Sequence, residues 1–113
     1  MKNSFFEITD LKGIQIIKIL KTLEQDNVDK VFRQIEETIN QKTIIIDLVN
    51  VGFINSTFIG YLFHLYETGK KSGRYICFVN GQDSVMDAFN LTGILDMIPY
   101  FKTLDEALIK LKK

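Results

Sequence analysis

Residues 44–57 read Ile44-Ile45-Ile46-Asp47-Leu48-Val49-Asn50-Val51-Gly52-Phe53-Ile54-Asn55-Ser56-Thr57. The segment opens with an apolar run that is too short to span a membrane. The run is rich in β-branched isoleucine, which is typical of a strand covered on both faces. Asn55, Ser56 and Thr57 then place capping side chains directly before an apolar pattern of helical period. The segment therefore predicts a buried strand, a short loop and a helix that begins at Ser56 or Thr57.

Length and charge limit the possible function classes. The chain has 113 residues, which predicts one domain over residues 1–113 with a single core. Its 14 basic and 14 acidic side chains cancel, so no net charge favours nucleic acid or an anionic membrane. The sequence lacks a leader-type start and a span-length apolar stretch, which predicts a cytoplasmic protein without direct membrane insertion. Cys77, the single cysteine, is predicted to be a buried strand thiol.

The rest of the chain alternates between strand and helix patterns. Two strands at residues 4–8 and 14–20, joined by the turn signal Asp10-Leu11-Lys12-Gly13, predict an antiparallel pair. The alternation that follows predicts an α/β fold with a mixed, mostly parallel sheet and helices packed on it. Pro99 cannot donate a ladder hydrogen bond, so its strand is predicted at an edge. The later predicted elements are a helix from Asp26 or Asn27 to about Asn40, strand 43–49, a helix to about Lys71, strand 74–80, helix 82–90, strand 97–101 and a helix capped by Thr103.

The middle helix has two apolar lines at helical spacing. Ile59, Leu62, Phe63 and Tyr66 form the predicted core face. A second line either packs under Met86 and Phe89 of the next helix or is offered to a partner. We expect some exposure where this line begins, next to Ser56. The second line is Phe58, Tyr61, Leu65 and Thr68, and the remaining polar arc is Ser56, Thr57, Gly60, His64 and Lys71.

The sequence offers few groups for catalysis. His64 is the single histidine, so a histidine metal site has no second imidazole. The glycines are scattered singly and none is followed by the lysine of a phosphate-binding loop. Ser56 is not in a nucleophile elbow. We therefore predict a protein that is not an enzyme and that has no catalytic residue, metal site or cofactor.

Two interpretations of Ser56 are open. Its hydroxyl is placed to cap the helix, as serines at helix starts commonly are. The same position faces unpaired backbone N–H groups and the positive end of the helix dipole, where a phosphate would be well received.

The motif residues together resemble the STAS domain family, best known from bacterial anti-sigma factor antagonists. The resemblance is carried by Asp47-Leu48, Phe53-Ile54-Asn55-Ser56-Thr57 and Ile59-Gly60, followed later by Phe89-x-Leu91-x-Gly93-Ile94 and Ala107-Leu108. It extends to the element order of the whole chain. Asn55 stands where the family pattern has an acidic residue, and Phe58 stands where it has a glycine.

The resemblance implies a function and a set of site residues. It implies docking on a serine kinase-type anti-sigma factor, phosphorylation at Ser56 in preference to Thr57, and a phosphatase as a further partner. A second family surface maps near Lys21, Thr22 and Glu24, of which only Glu24 is acidic. The predicted partner-binding residues are Glu24, Asn55, Ser56, Thr57, Phe58, Gly60 and Tyr61.

The first function hypothesis is thus a non-enzymatic module that occupies a regulator and releases whatever that regulator held. A second is an accessory subunit that resembles the STAS proteins of bacterial lipid-transport ATPase complexes and has no phospho-switch. A small enzyme ranks last, since no acid, base and nucleophile are paired. The sequence leaves the partner's identity and the oligomeric state open.

Overall fold

The computed structural model describes residues 1–111, which form a sheet with the strand order β1-β2-β3-β4-β5. β1 is antiparallel to β2, and the remaining neighbours are parallel. This confirms the predicted mixed, mostly parallel α/β sheet with an antiparallel pair at the start. The elements are β1 (Phe6–Leu11), β2 (Ile14–Ile19), α1 (Val28–Thr38), β3 (Thr43–Asp47), α2 (Ser56–Lys71), β4 (Tyr75–Val79), α3 (Asp83–Thr92), a 3-10 turn (Ile94–Asp96), β5 (Tyr100–Phe101) and α4 (Leu104–Leu111).

β3 is the central strand, and helices cover both of its faces. Ile44, Ile46 and Leu48 lie in a large buried cluster to which α1, α2 and α3 contribute. Ile45 lies in a smaller cluster on the opposite face, together with Ala107 of α4. The isoleucine run is apolar throughout because each successive side chain enters one core or the other.

The first hairpin differs from the predicted boundaries. β1 begins at Phe6 and not at residue 4, because Asn3 Oδ1 accepts hydrogen bonds from the backbone N–H groups of Phe5 (2.8 Å) and Phe6 (3.0 Å). This side-chain turn keeps the preceding residues out of the strand. The strand continues to Leu11 because Lys12 and Gly13, with φ of 51° and 84°, form a two-residue turn. Positive φ at both central residues is the conformation that matches the twist of a hairpin.

The C-terminal elements also differ slightly from the prediction. α3 runs to Thr92, and Gly93 ends it with a left-handed φ of 73°. The last strand is shorter than residues 97–101, because a 3-10 turn and Pro99 occupy the chain before Tyr100. β5 lies at an edge of the sheet, as Pro99 predicted. Thr103 caps α4, since its Oγ1 accepts a hydrogen bond from the Glu106 N–H at 3.1 Å.

The predicted faces of α2 are wrong in one respect. Phe58 was expected to be partly exposed, but it is 0% exposed and belongs to the large core. Its ring meets Phe32 of α1 edge-on, with 5.1 Å between centroids. Helix α1, and not Met86 and Phe89 of α3, therefore covers the start of the second line. The fully buried face of α2 is rotated by roughly 80° from the predicted one, at 100° per residue, and consists of Phe58, Leu62, Leu65 and Gly69.

Candidate functional site

The loop between β3 and α2 lies at the carboxyl edge of the parallel strands, the edge where α/β proteins generally bind their ligands. Asp47 begins the loop and is 5% exposed. Its Oδ1 accepts hydrogen bonds from the backbone N–H of Val49 (3.1 Å) and from Asn80 Nδ2 (3.0 Å). One carboxylate thus joins the ends of two neighbouring strands and fixes the direction in which the loop leaves the sheet.

Three more side chains hold the middle of the loop. Thr22, which precedes α1, accepts the backbone N–H of Gly52 at 2.8 Å. Ser84, in the first turn of α3, donates its hydroxyl to the carbonyl of Gly52. Gln82 donates to the carbonyl of Val49 at 2.9 Å. The loop backbone is therefore fixed from both sides by residues about thirty positions away in sequence.

This fixed loop presents two apolar side chains to solvent. Phe53 is 52% exposed and Val49 is 40% exposed, whereas Val51 between them is buried. Phe53 is therefore accessible to another molecule. The docking aromatic side chains predicted from the sequence were Phe58 and Tyr61 instead.

The start of α2 distinguishes the two candidate hydroxyls. Asn55 is the N-cap, and its Oδ1 accepts the backbone N–H of Phe58 at 2.8 Å. Ser56 is exposed, and it is the first residue of the helix. Thr57 is half-buried, and its Oγ1 accepts a hydrogen bond from Gln25 Nε2 at 2.9 Å. Ser56 is the more accessible hydroxyl because Asn55, and not Ser56, performs the capping.

Two contacts join the polar side of α2 to α1. The Tyr61 ring stacks on Phe32 with 5.1 Å between centroids, and its hydroxyl donates to Asp29 Oδ1. That hydrogen bond is the main reason why the pKa of Tyr61 is raised, and partial burial adds to it. One turn further, His64 Nε2 lies 3.2 Å from Glu36 Oε1. A shallow, widely open depression of about 380 Å³ lies on this side and is lined by Thr57, Gly60, Tyr61 and His64.

Most of the predicted site residues lie on one surface. Ser56 and Gly60 are exposed, whereas Asn55, Thr57 and Tyr61 are half-buried around them. Glu24 is exposed in the turn before α1, next to the Gln25 that reaches Thr57. Phe58 is the exception, since it is turned into the core.

A buried thiol, the metal-ligating residue types and the helix lengths are further features of the described part of the chain. Burial raises the pKa of Cys77 to about 12, so this thiol is protonated at neutral pH. Within residues 1–111, His, Cys, Asp and Glu side chains do not form a group of three or more that could hold a metal ion. In the same range, every helix is too short or too polar to cross a membrane.

Comparisons with known proteins agree with this architecture. The model of the STAS domain matches residues 6–107. A Thermotoga maritima protein assigned to the anti-sigma factor antagonists superimposes with a TM-score of 0.90 at 18% identity, covering 96% of this chain and 95% of that chain. An anti-sigma factor antagonist from Mycobacterium paratuberculosis gives 0.81 at 22% identity, covering 96% and 93%. A search of the curated proteins found no significant match.

A third similar structure is that of a phosphorylated protein. The cell fate determinant SpoIIAA of Bacillus, solved in its phosphorylated form, superimposes with a TM-score of 0.73 at 16% identity, covering 95% of this chain and 99% of that chain. At identities below one quarter, these likenesses show a shared fold.

Proposed function

The chain belongs to the STAS domain family, and on that premise we propose that it is a non-enzymatic, cytoplasmic regulator that docks on a kinase-type anti-sigma factor. The docking surface comprises the exposed loop residues Val49 and Phe53 and, at the start of α2, Ser56, Thr57, Gly60 and Tyr61. By occupying the anti-sigma factor, the chain releases the sigma factor that was held. This proposal makes the chain a regulator of transcription that acts by competition and catalyses no reaction.

The observation that carries the proposal is the rigid presentation of Ser56. Hydrogen bonds with Thr22, Asn80 and Ser84 fix the preceding loop, and Asn55 caps the helix. An exposed serine on such a surface can enter the active site of a docked kinase without rearrangement of the domain. Association with preordered groups avoids the entropy loss of ordering them.

Phosphorylation of Ser56 would act on the partner rather than on the fold. A phosphate adds about −1.5 to −2 charges at neutral pH. At the first residue of a helix this charge faces the positive end of the helix dipole, so the domain tolerates it. In the complex the same charge must be desolvated against the partner, which weakens binding. Phosphorylation therefore switches the antagonist off, and a phosphatase restores it.

Binding measurements with purified proteins test this proposal. Each kinase-type anti-sigma factor of the source organism is titrated with the wild-type chain and with Ser56→Asp. We expect one of them to bind the wild type and to bind Ser56→Asp at least tenfold more weakly, while the melting temperature of the variant stays unchanged. Asn40→Asp is the matched control, because it adds a charge in the loop that precedes β3. This loop lies at the amino end of the strand, whereas Ser56 follows its carboxyl end.

Two results would contradict the proposal. If none of the kinase-type anti-sigma factors binds, the antagonist function is wrong, and co-purification with transporter subunits would point to the accessory-subunit alternative. If one binds but Ser56→Asp binds equally well, and Ser56 stays unmodified after incubation with that protein and ATP, the switch is wrong. Docking without a switch would then remain.

A further inference from the structure

A recess lies at the amino edge of the parallel strands, opposite to the carboxyl edge that carries Ser56. Its walls come from the second half of α2, the start of β4 and the segment before β5. Its volume of about 270 Å³ is just below the usual range of ligand sites, which is about 300–1,000 Å³, so a ligand of this recess is small. The lining residues that are exposed or half-buried are Tyr66, Lys70, Arg74, Tyr75, Met97 and Pro99.

Arg74 is a fixed cation whose charge is not paired within the described part of the chain. Its stem packs over Gly69 of α2, where an added Cβ atom would lie 3.4 Å from Arg74 Cβ and 3.8 Å from Cδ. Its Nε donates to the carbonyl of Gln41 at 3.2 Å. Within residues 1–111, no carboxylate oxygen lies within 4.0 Å of the guanidinium. Because a guanidinium has five N–H donors, this half-buried group keeps several of them for a ligand.

Lys70 and two tyrosine hydroxyls add further donors. Lys70 is exposed, and in the described residues neither Glu67, one turn earlier on α2, nor any other carboxylate lies within 4.0 Å of its ammonium group. The hydroxyls of Tyr66 and Tyr75 form no hydrogen bond within residues 1–111, whereas the other two tyrosine hydroxyls of the chain each bind a partner in the domain. Burial is the main reason why the pKa of Tyr75 is raised, so its hydroxyl keeps the proton and can donate.

We propose that this recess binds a small phosphate monoester that carries a single aromatic ring. Two cations match the charge of a phosphate monoester, which is about −1.5 to −2 at neutral pH, whereas a carboxylate would leave one cation unpaired. The guanidinium fork fits two phosphate oxygens, and a tyrosine hydroxyl can donate to the third. The rings of Tyr66 and Tyr75, with Met97 and Pro99, supply an apolar lining for the aromatic ring. The site goes beyond the proposed function and does not depend on it, because it lies at the other edge of the sheet.

Titration of the isotope-labelled full chain with phenyl phosphate, followed by two-dimensional NMR at constant ionic strength, tests this proposal. We expect saturable shifts of the backbone amides of Lys70, Arg74 and Tyr75. Inorganic phosphate, which lacks the ring, and phenol, which lacks the charge, should each bind about tenfold more weakly. Arg74→Gln and Lys70→Gln should each weaken the binding of phenyl phosphate about tenfold, because each removes a charge-assisted hydrogen bond. Lys30→Gln, which removes an exposed lysine near the start of α1, is the matched control and should keep wild-type affinity.

Three results would overturn the proposal. The first is that phenyl phosphate shifts only amides near Ser56, where the start of α2 also attracts anions. The second is that phenyl phosphate binds no more tightly than inorganic phosphate at the same ionic strength. The third is that Lys70→Gln binds phenyl phosphate as tightly as Lys30→Gln does. Lys70 is exposed, so this variant decides the question even if Arg74→Gln has a lowered melting temperature.

Discussion

Phe53 and Phe58 are five residues apart but lie in opposite environments. Phe53 projects from a fixed loop into solvent, whereas Phe58 is enclosed by the core and contacts the edge of Phe32. The position of the ring relative to α1, and not its distance from Ser56, decides which of the two can touch a partner.

Alanine substitutions separate the roles of these two rings. We expect Phe58→Ala to lower the free energy of unfolding by about 3–5 kcal/mol, because it removes a buried aromatic ring and leaves a cavity. Phe53→Ala should change stability by less than about 1 kcal/mol. If the proposed function holds, the same Phe53→Ala variant should weaken binding to the anti-sigma factor by about 2 kcal/mol, as loss of an aromatic anchor does.

Denaturant unfolding and calorimetric titration measure the two effects. A Phe53→Ala variant with wild-type affinity would exclude Phe53 from the interface. Stability of Phe58→Ala equal to that of wild type would contradict the buried environment assigned to this ring.

Cys77 gives a third prediction for a single side chain. Burial raises the pKa of its thiol from 9.0 to about 12. The native protein should therefore resist alkylation by iodoacetamide at pH 8, and the unfolded protein should react readily, because the thiolate is the nucleophile. Since the folded state holds this proton more tightly, the thiol's contribution to stability is present below pH 9 and is lost as the pH rises toward 12. Rapid alkylation under native conditions, followed by mass spectrometry, would contradict this prediction.

At the scale of the elements, α2 shows what periodicity can and cannot predict. The start at Ser56 and the end at Lys71 agree with the capping and turn residues in the sequence. The helix has apolar residues on more than half of its circumference, so its period alone leaves the orientation undetermined. The contact between Phe32 and Phe58 determines the orientation of α2, and this contact depends on where α1 packs. The exposed arc with Ser56, Gly60 and His64 was predicted, because its residues are polar or small and do not favour burial in the core.

The side chains that hydrogen-bond to the loop between β3 and α2 could not be predicted from local sequence patterns. Thr22, Gln82 and Ser84 are thirty or more residues from the loop groups that they bind. Gln82 and Ser84 are ordinary polar residues at the start of α3, where the capping of their own helix would explain them equally well. Thr22 lies in the segment between β2 and α1, where no local pattern marks it. The capping segment at Asn55 could be predicted because capping depends on neighbours in sequence.

At the scale of the whole molecule, the mixed sheet, its buried strand and one of its edges could be predicted because each element carried a clear pattern. The isoleucine run marked β3 as buried on both faces, and Pro99 marked β5 as an edge. The boundaries of β1 were missed because the Asn3 side chain, and not strand propensity, sets where that strand begins.

A charge in the centre of β3 tests this architecture. We expect Ile45→Asp to destabilise the fold by several kcal/mol, since Ile45 lies between Ile16 and Cys77 in the sheet and an unpaired carboxylate would be buried there. Thr9→Asp is the control, because Thr9 is exposed on β1 and pairs with Ile16. An unchanged melting temperature for Ile45→Asp would contradict the central position of β3.

The hydrogen bonds that fix the loop before α2 also bear on the speed of recognition. A loop already in its binding conformation needs no slow rearrangement before or after encounter, so the association rate is limited by diffusion and by the orientation of the two surfaces. Differences in affinity among partners or variants then arise mainly from differences in the dissociation rate. A regulator built in this way responds to a change in its own concentration as fast as collisions allow, and its lifetime on the target sets how long the response persists.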